Sequence, residues 1–209
     1  MCQECEVGMW EEEQICPGCC RNSRYGLRHE YCKNKGYLDG VICLWAYEGI
    51  TRKLIKDSKY KYYFDYLQEL LVNSCQLSVR PEFHYLEEFI KQRPTVVPVP
   101  LHPKRERNRG FNQAEVIGRL MSRNWKLEMS NLLNRVKDTK QQVGRSREER
   151  LESMEGAFKT SPSIPLLNLG EGRVLLVDDV WTTGATMQEC AKVLKKEGAK
   201  KVWGWVVAR

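Results

Sequence analysis

The sequence contains no apolar run that approaches the roughly 20 residues of a membrane-spanning helix, so we expect no membrane insertion. Its first residues lack the basic segment and apolar stretch of a secretory signal peptide, which favours a cytoplasmic protein. Internal repeats and low-complexity segments are also missing. No motif pairs a cysteine with a base, so a catalytic cysteine is not expected, and the sequence shows no clear catalytic base of any kind.

The chain has 209 residues, 42% of them hydrophobic, which is enough for one full domain with a small appendage. Its net charge of +7 is unevenly distributed. Residues 104–150 contain thirteen Lys and Arg against six Asp and Glu, so their local excess equals the charge of the whole chain. Such a segment indicates an anionic partner, either a phosphate ligand or nucleic acid, and the alternative is a solvated helical face.

Nine cysteines are many for a reducing compartment, where metal binding is commoner than disulfide formation. Three pairs have two residues between their members: Cys2/Cys5, Cys16/Cys19 and His29/Cys32. One tetrahedral zinc ion takes four ligands, so the six candidates leave alternatives. We predict structural Zn²⁺ on Cys16, Cys19, His29 and Cys32, and the rival set is Cys2, Cys5, Cys16 and Cys19. Of the remaining cysteines and histidines, Cys20 is interpreted as taking no part in metal binding. Core positions are predicted for Cys43, Cys75 and Cys190, and surface or loop positions for His84 and His102.

The order of elements along the chain predicts an α/β fold. Short apolar runs at 41–47, 95–100, 173–177 and 202–208 indicate strands, and apolar residues at helical spacing indicate helices over 50–73, 112–124 and 186–197. Continuously apolar strands that alternate with helices are typical of a parallel sheet covered on both faces. Residues 135–155 are polar and predict little helix. The cysteine-rich segment 1–36 predicts a small separate module before a domain over 37–209.

The stretch VLLVDDVWTTGATM, residues 174–187, places two carboxylates between a buried strand and a helix. Ligands of α/β sheets bind at the carboxyl ends of strands, and a helix N-terminus there favours phosphate. The loop residues Thr182, Thr183, Gly184, Ala185 and Thr186 supply hydroxyl groups and a flexible turn. Asp178 and Asp179 suit the hydroxyl groups of a sugar, with Mg²⁺ as a further partner. This pattern predicts a sugar-phosphate site, and the alternative is an ordinary strand–helix turn with capping residues.

The same stretch resembles the phosphoribosyl pyrophosphate (PRPP) loop of type I phosphoribosyltransferases. Two more segments, VVPVPLHPKRERNRGFNQAE (96–115) and RVKDTKQQVGRSREERLESMEGAF (135–158), resemble the ComF family of competence-associated proteins. The resemblance covers nearly the whole chain and implies a Rossmann-type parallel sheet preceded by a zinc-finger module. Ser153 departs from the family pattern, where Asn is expected.

The resemblance also implies roles for individual residues. Asp178 and Asp179 would be the catalytic acids that hold the ribose hydroxyls, and residues 182–186 would bind the 5′-phosphate. The pyrophosphate, together with Mg²⁺, would meet backbone groups and nearby cations: Leu101, His102, Lys104, Arg105 and Arg109. Residues 137–150 would form a mobile flap over the site. The element RGFNQ (109–113) has an alternative interpretation from its residues alone, in which a turn at Gly110 and a helix start at Asn112 position the phosphate loop and do not touch substrate.

Three functions are consistent with these features. The first is a PRPP-dependent phosphoribosyltransferase, a glycosyltransferase with an unidentified acceptor, linked to DNA uptake and natural transformation. The second is a competence factor that binds single-stranded DNA and works with the DNA-uptake machinery. Its DNA site would be the phosphate loop, the basic stretch or the aromatic run KYKYYFDY (59–66), which is otherwise an amphipathic helix. The third is a PRPP sensor without turnover.

Overall fold

The structure, a computed structural model, describes residues 12–58, 80–139, 147–161 and 170–209. Several predictions therefore fall outside the described residues: those for Cys2, Cys5, Cys75, the aromatic run 59–66 and residues 140–146 of the proposed flap.

Six strands lie in the described residues, and four of them form the central sheet. They are β1 (Gly40–Trp45), β2 (Thr95–Pro98), β3 (Leu133–Arg135), β4 (Phe158–Thr160), β5 (Arg173–Val180) and β6 (Lys201–Ala208). The sheet has the order β1-β6-β5-β2 and is parallel throughout, whereas β3 and β4 form a separate antiparallel pair. The predicted parallel sheet is confirmed.

Helices surround the sheet in the same ranges. They are α1 (Gly49–Asp57), α2 (His84–Lys91), α3 (Pro103–Arg109), α4 (Gln113–Trp125), α5 (Arg147–Met154) and α6 (Ala185–Lys196). Short 3-10 turns lie at Glu30–Cys32, Pro81–Phe83 and Gly170–Gly172. Among the helices of the described residues, none combines the length and the apolar character that a membrane-spanning segment requires.

Both faces of the sheet are buried, which explains why its strands are continuously apolar. Met187, Cys190 and Leu194 of α6 pack with the strands on one face. On the other face, α2 and α4 contribute residues such as Phe89 and Ile117. The apolar spacing predicted for the helix after β5 is therefore confirmed as its sheet-facing side.

Two helices lie where the sequence predicted loop or polar chain. The helix α3 begins at Pro103, directly after the loop that follows β2, and its N-cap residue is His102. It buries no residue. In the stretch 135–155, expected to have little helix, α5 runs over 147–154, buries Met154 and packs against α6. The expectation for 135–155 was therefore wrong, because tertiary packing stabilises a helix whose own apolar pattern is weak.

The described part of the cysteine-rich segment packs directly on the sheet. The Gln14 side chain brackets the backbone of Cys43 in β1: its Nε2 donates to the carbonyl at 2.8 Å, and its Oε1 accepts from the N–H at 2.9 Å. Ile15 and Leu38 are buried in the same core as Val41. The segment is therefore anchored on the sheet, and its status as a separate domain stays a prediction.

Candidate functional site

The candidate site lies at the carboxyl edge of the sheet, between the neighbouring strands β2 and β5. The helix α4, which comes after β2 and α3, packs on one face of the sheet, and α6, which follows β5, packs on the other. Loops that leave adjacent parallel strands toward opposite faces form a crevice, where ligands of open α/β sheets bind. The loops here are residues 99–102 and 181–184.

Asp178 and Asp179 lie near the end of β5, which continues to Val180, beyond the predicted end at Val177. The Asp179 N–H donates a hydrogen bond of 2.9 Å to Oδ1 of Asp178. Burial in the crevice, and then the charge of Asp179, raise the pKa of the Asp178 carboxyl well above its usual range. Because adjacent carboxylates repel one another, the pair suits a ligand that brings hydroxyl groups or a cation.

Arg135, which was not assigned to the site from the sequence, offsets part of this negative charge. Its positive charge opposes the rise in the pKa of Asp178, while burial and then the nearby Arg105 lower the pKa of Arg135 itself. Arg135 Nη2 donates to Thr139 Oγ1 at 2.5 Å. Arg105 Nη2 donates to the Thr139 carbonyl, and its Nε lies 3.4 Å from Asp138 Oδ1. These contacts join α3 to the segment after β3.

Residues 181–184 connect β5 to α6, which begins at Ala185. Its N-cap, Gly184, has a φ of 77°, in the left-handed region that favours glycine, and contributes no capping side chain. The first N–H groups of a helix have no intrahelical partner, so they are available to an anion. Thr182 is exposed, and Thr183 and Thr186 are half-buried in the same turn. This turn can therefore bind a phosphate group.

Contact with the Trp181 indole restricts the shape of this loop. Trp181 is 2% exposed, and a Cβ added to Gly184 would lie 2.2 Å from its ring. The buried Trp181 Nε1 has no hydrogen-bond partner among the described residues. Only glycine fits against the indole at this position.

Replacing Gly184 with Ala is expected to destabilise the protein more than replacing Gly110 with Ala. Both glycines have positive φ, 77° and 81°, so each variant carries a backbone cost of about 1–2 kcal/mol. A Cβ on Gly110 meets nothing within 4 Å, whereas one on Gly184 displaces the indole. Urea unfolding of the two variants measures the difference, and equal losses of stability would contradict a tight Gly184–Trp181 contact.

The residues assigned to pyrophosphate lie on the loop after β2 and on α3. Leu101 and His102 immediately precede the helix, and His102 Nδ1 accepts from the Lys104 N–H at 3.3 Å. Lys104 is exposed, whereas Arg109 is half-buried and donates to Gln113 Oε1 at 3.1 Å. Leu101 and His102 therefore lie on the crevice loop and the three cations on the helix that follows it, with Arg109 and Arg105 already engaged by protein groups.

Asn112 links the start of α4 to the loop after β2. Its Nδ2 donates to the Val99 carbonyl at 3.0 Å, and its Oδ1 accepts from the Ala114 N–H at 3.1 Å. The predicted N-cap is therefore confirmed, and the same side chain holds the crevice loop. The neighbouring Gln113 is 2% exposed, and its Nε2 has no hydrogen-bond partner in the described ranges.

A second cluster lies in the cysteine-rich segment, where the ligand atoms of Cys16, Cys19, His29 and Cys32 all lie within 4.8 Å of one another. Zinc–thiolate bonds of about 2.3 Å in a tetrahedron place sulfur atoms roughly 3.8 Å apart. Desolvation raises the pKa of Cys32 to about 11. At Cys19, desolvation is outweighed by hydrogen bonds from the Arg21 backbone and from neighbouring ligands, and the pKa falls to about 6. The cluster is compatible with structural zinc.

The other described cysteines lie outside this cluster. Cys20 is half-buried with a φ of 58°, and Cys43 and Cys190 are buried in the core. The core interpretation of these last two is confirmed. The rival ligand set needs Cys2 and Cys5, which lie outside the described residues, so it stays a prediction.

Comparison with known proteins agrees with this architecture. The family model of the phosphoribosyl transferase domain matches residues 119–208, which include the acid pair and the loop after β5. The chain is 29% identical over 212 residues to Competence protein F of Haemophilus influenzae, a match that covers 100% of this chain and 90% of that protein. It is 28% identical over 218 residues to Competence protein ComFC of Streptococcus pneumoniae, with 97% and 84% covered. Along nearly its whole length the chain is similar to these competence proteins, as the resemblance to the ComF family implies.

A further relative, DNA utilization protein YhgH of Escherichia coli, is 34% identical over 119 residues, which are 54% of this chain and 48% of that protein. No solved structure gives a significant match. The match to the phosphoribosyl transferase domain and the observed parallel sheet together confirm the predicted phosphoribosyltransferase-like fold, with a Cys and His cluster near its N-terminus.

Three residues around the candidate site were missed from the sequence: Arg135, Tyr47 and Gln188. Arg147 was predicted only as part of the flap 137–150 and of the basic segment 104–150. Burial and then the Asp179 charge raise the pKa of Tyr47, which follows β1 near the carboxyl edge. Arg135 and Arg147 lie in the segment 135–158 that carried the family resemblance, and this was the available signal. Charge alone did not separate them from the other basic residues there.

Proposed function

We propose that this chain binds PRPP, or another ribose 5-phosphate ligand, in the crevice between β2 and β5, and acts there as a phosphoribosyltransferase. One observation carries the proposal: two carboxylates lie near the end of β5, and the turn that follows opens α6 at a glycine. Carboxylates accept hydrogen bonds from a ribose diol, and a glycine turn at a helix N-terminus suits the 5′-phosphate. A ligand that has hydroxyls and a phosphate on one sugar carries both of the groups that the acid pair and this turn would bind.

Each remaining part of the ligand has a group of suitable chemistry in this proposal. The pyrophosphate lies against the loop 99–102, beside the exposed Lys104. The reaction breaks the bond between the anomeric carbon and a pyrophosphate oxygen, which keeps the electron pair, and a bond forms from that carbon to the acceptor. No protein nucleophile takes part, because holding the reactants in line and excluding water lowers the barrier. Closure of the flap, residues 137–150, would exclude that water.

Asp178 and Asp179 carry the hard oxygen donors that Mg²⁺ prefers, so this pair fits the ion directly or through its waters. When bound, Mg²⁺ would neutralise charge on the pyrophosphate leaving group. Arg135 keeps a positive charge near Asp178 and so favours its ionised form. Zn²⁺ is proposed to be structural, on Cys16, Cys19, His29 and Cys32.

Ligand fragments test the sugar-phosphate assignment without turnover. In a thermal-shift assay with Mg²⁺, we expect ribose 5-phosphate to raise the midpoint temperature and ribose alone to leave it unchanged, because the phosphate loop contributes the anion site. Stabilisation by pyrophosphate but not by ribose 5-phosphate would contradict the role of Asp178 and Asp179. A pyrophosphate-release assay over candidate acceptors then separates a transferase from a PRPP sensor, since a sensor binds PRPP without release.

The names of its relatives support a role in DNA uptake and natural transformation. Two relatives are named for competence and one for DNA utilization. The acceptor would then belong to that process, and the cellular setting is proposed to be the cytoplasm.

A second candidate function is the binding of single-stranded DNA, which the basic segment 104–150 favours. Lys104 and Arg107 are exposed on α3, directly after the crevice loop. Cations at this edge would contact backbone phosphates, and the aromatic run 59–66 remains a prediction for base stacking. In this alternative a DNA phosphate occupies the loop 182–186, so PRPP competes with DNA.

We predict that replacing Lys104 and Arg107 with Gln flattens the salt dependence of any single-stranded DNA binding. Each lost phosphate contact reduces the slope of log affinity against log salt by about 0.7 for single strands. Lys196 and Lys200, exposed at the opposite edge of the sheet, provide a matched double-Gln control. Fluorescence anisotropy at several salt concentrations measures the slopes, and equal slopes for both variants would place the DNA site away from α3.

A further inference from the structure

Arg147, the first residue of α5, connects the proposed metal module to the proposed phosphate loop. Its Nη2 donates to the carbonyl of Gly18 at 3.0 Å, and its Nε donates to the carbonyl of Thr183 at 3.3 Å. Gly18 lies between two members of the cysteine cluster, Cys16 and Cys19. One half-buried guanidinium therefore joins the short loop between Cys16 and Cys19 to the turn that precedes α6.

Gln188 makes a second connection, one turn into α6. It is 5% exposed; its Nε2 donates to the Pro17 carbonyl at 2.8 Å, and its Oε1 accepts from the Tyr37 N–H at 2.7 Å. At Gly36, which has a φ of 101°, an added Cβ would lie 2.6 Å from Gln188 Oε1. The module is therefore fitted closely around this one amide side chain of the helix that carries the phosphate loop.

The contact at Thr183 bears on the proposed anion site through the geometry of a peptide bond. The carbonyl of one residue and the N–H of the next point in opposite directions across a trans peptide. A guanidinium that holds the Thr183 carbonyl therefore directs the Gly184 N–H away from itself. Loss of the Gly18–Arg147 contact would leave the guanidinium held by the Thr183 carbonyl alone, so the orientation of this peptide would be less firmly fixed.

A cleft of about 440 Å³ lies between the module, α5 and α6, and its lining includes Gly18, Arg147, Ala185 and Gln188. Across this cleft Arg147 and Gln188 donate to the carbonyls of Gly18 and Pro17, so these two hydrogen bonds depend on where Pro17 and Gly18 are held. A metal ion on Cys16 and Cys19 would fix the two residues between them.

We propose that Arg147 and Gln188 are positioning residues that couple metal binding in the cysteine cluster to ligand binding in the phosphate loop. The inference rests on the proposed function, because it takes PRPP as the ligand. Coupling between two sites is reciprocal, so PRPP tightens zinc binding by the same factor by which zinc tightens PRPP binding.

The test measures zinc affinity by competition with a chromogenic chelator, with and without saturating PRPP and Mg²⁺. In the wild-type chain we expect PRPP to tighten zinc binding at least about 5-fold, the lower end of ordinary coupling. In Arg147→Met, which keeps an unbranched side chain but removes both donors, we expect this ratio to fall toward 1. Arg119→Met is the matched control, because Arg119 lies on α4 and pairs with Glu115 away from the cleft.

The ratio of the zinc affinities with and without PRPP distinguishes coupling from a merely structural role. A merely structural role would change both affinities equally and leave the ratio unchanged. Gln188→Glu is the second variant if Arg147→Met does not fold, because it keeps the acceptor for Tyr37 and loses the donor to Pro17; its ratio should fall as well. Calorimetry that shows PRPP binding together with an unchanged ratio in both variants, or no effect of PRPP in wild type, would overturn the coupling alone. Absence of PRPP binding would overturn the proposed function too.

Discussion

Replacing both Asp178 and Asp179 with Asn is expected to weaken PRPP binding at least about 100-fold. A hydrogen bond to a charged group contributes about 1.5–3 kcal/mol, and the double variant weakens two such acceptors. Asn keeps an acceptor Oδ1 for the Asp179 backbone contact at 2.9 Å, so the end of β5 should retain its shape. Isothermal titration calorimetry with Mg²⁺ measures the loss, and Asp57→Asn on α1 is the matched control.

The single variant Asp178→Asn separates this binding role from a role in stability. Burial raises the pKa of Asp178, so its ionised form costs stability once the pH rises through that raised pKa. Below the ordinary carboxyl pKa, the group is protonated in both the folded and the unfolded chain, and the cost disappears. At neutral pH the variant should therefore unfold at the same temperature as wild type or higher. A lower midpoint together with unchanged PRPP affinity would make Asp178 a structural residue.

Removal of zinc is expected to unfold the cysteine-rich segment before the sheet. Among residues 12–36, few apolar side chains are buried, and structural zinc in small modules contributes about 10–16 kcal/mol of apparent binding energy. We expect one zinc per purified chain, and chelation should open this segment to protease while the strands stay protected. Elemental analysis and limited proteolysis followed by mass spectrometry check both points.

The variant His29→Ala tests the ligand set. Loss of a residue that hydrogen-bonds to a metal ligand lowers metal affinity by up to about 100-fold. Loss of a direct ligand such as His29 should therefore weaken zinc binding by more than about 100-fold. Cys20→Ser is the matched control, because Cys20 is adjacent to Cys19 but lies outside the cluster. Full zinc retention in His29→Ala would favour the rival ligands Cys2 and Cys5.

The sheet could be predicted because its strands are buried on both faces. Residues 174–177 of β5 and 202–208 of β6 are apolar or glycine at every position, and α6 repeats its apolar residues at helical spacing. By contrast, α3 buries no residue, so no apolar pattern indicates it. The strands β3 and β4 have three residues each, too few for a period to show.

The residues of the candidate site also differ in whether the sequence predicts them. Asp178, Asp179 and the turn up to Thr186 are consecutive, so their chemistry can be interpreted from one stretch of sequence. Arg147 and Gln188 contact residues of the cysteine-rich segment that lie far away in the chain, such as Gly18 and Pro17. Contacts of this kind depend on how the cysteine-rich segment packs on α6, and no local sequence pattern predicts that packing.

Titration of PRPP with Mg²⁺ into the zinc-loaded wild-type chain, followed by calorimetry, tests the central claim most directly. The account predicts saturable binding at one site per chain, with ribose 5-phosphate competing for that site. The phosphate loop and the acid pair each contribute, so the Asp178→Asn, Asp179→Asn chain should show little heat under the same conditions. Absence of saturable binding to the folded, zinc-loaded protein would contradict the assignment of this crevice as a PRPP site.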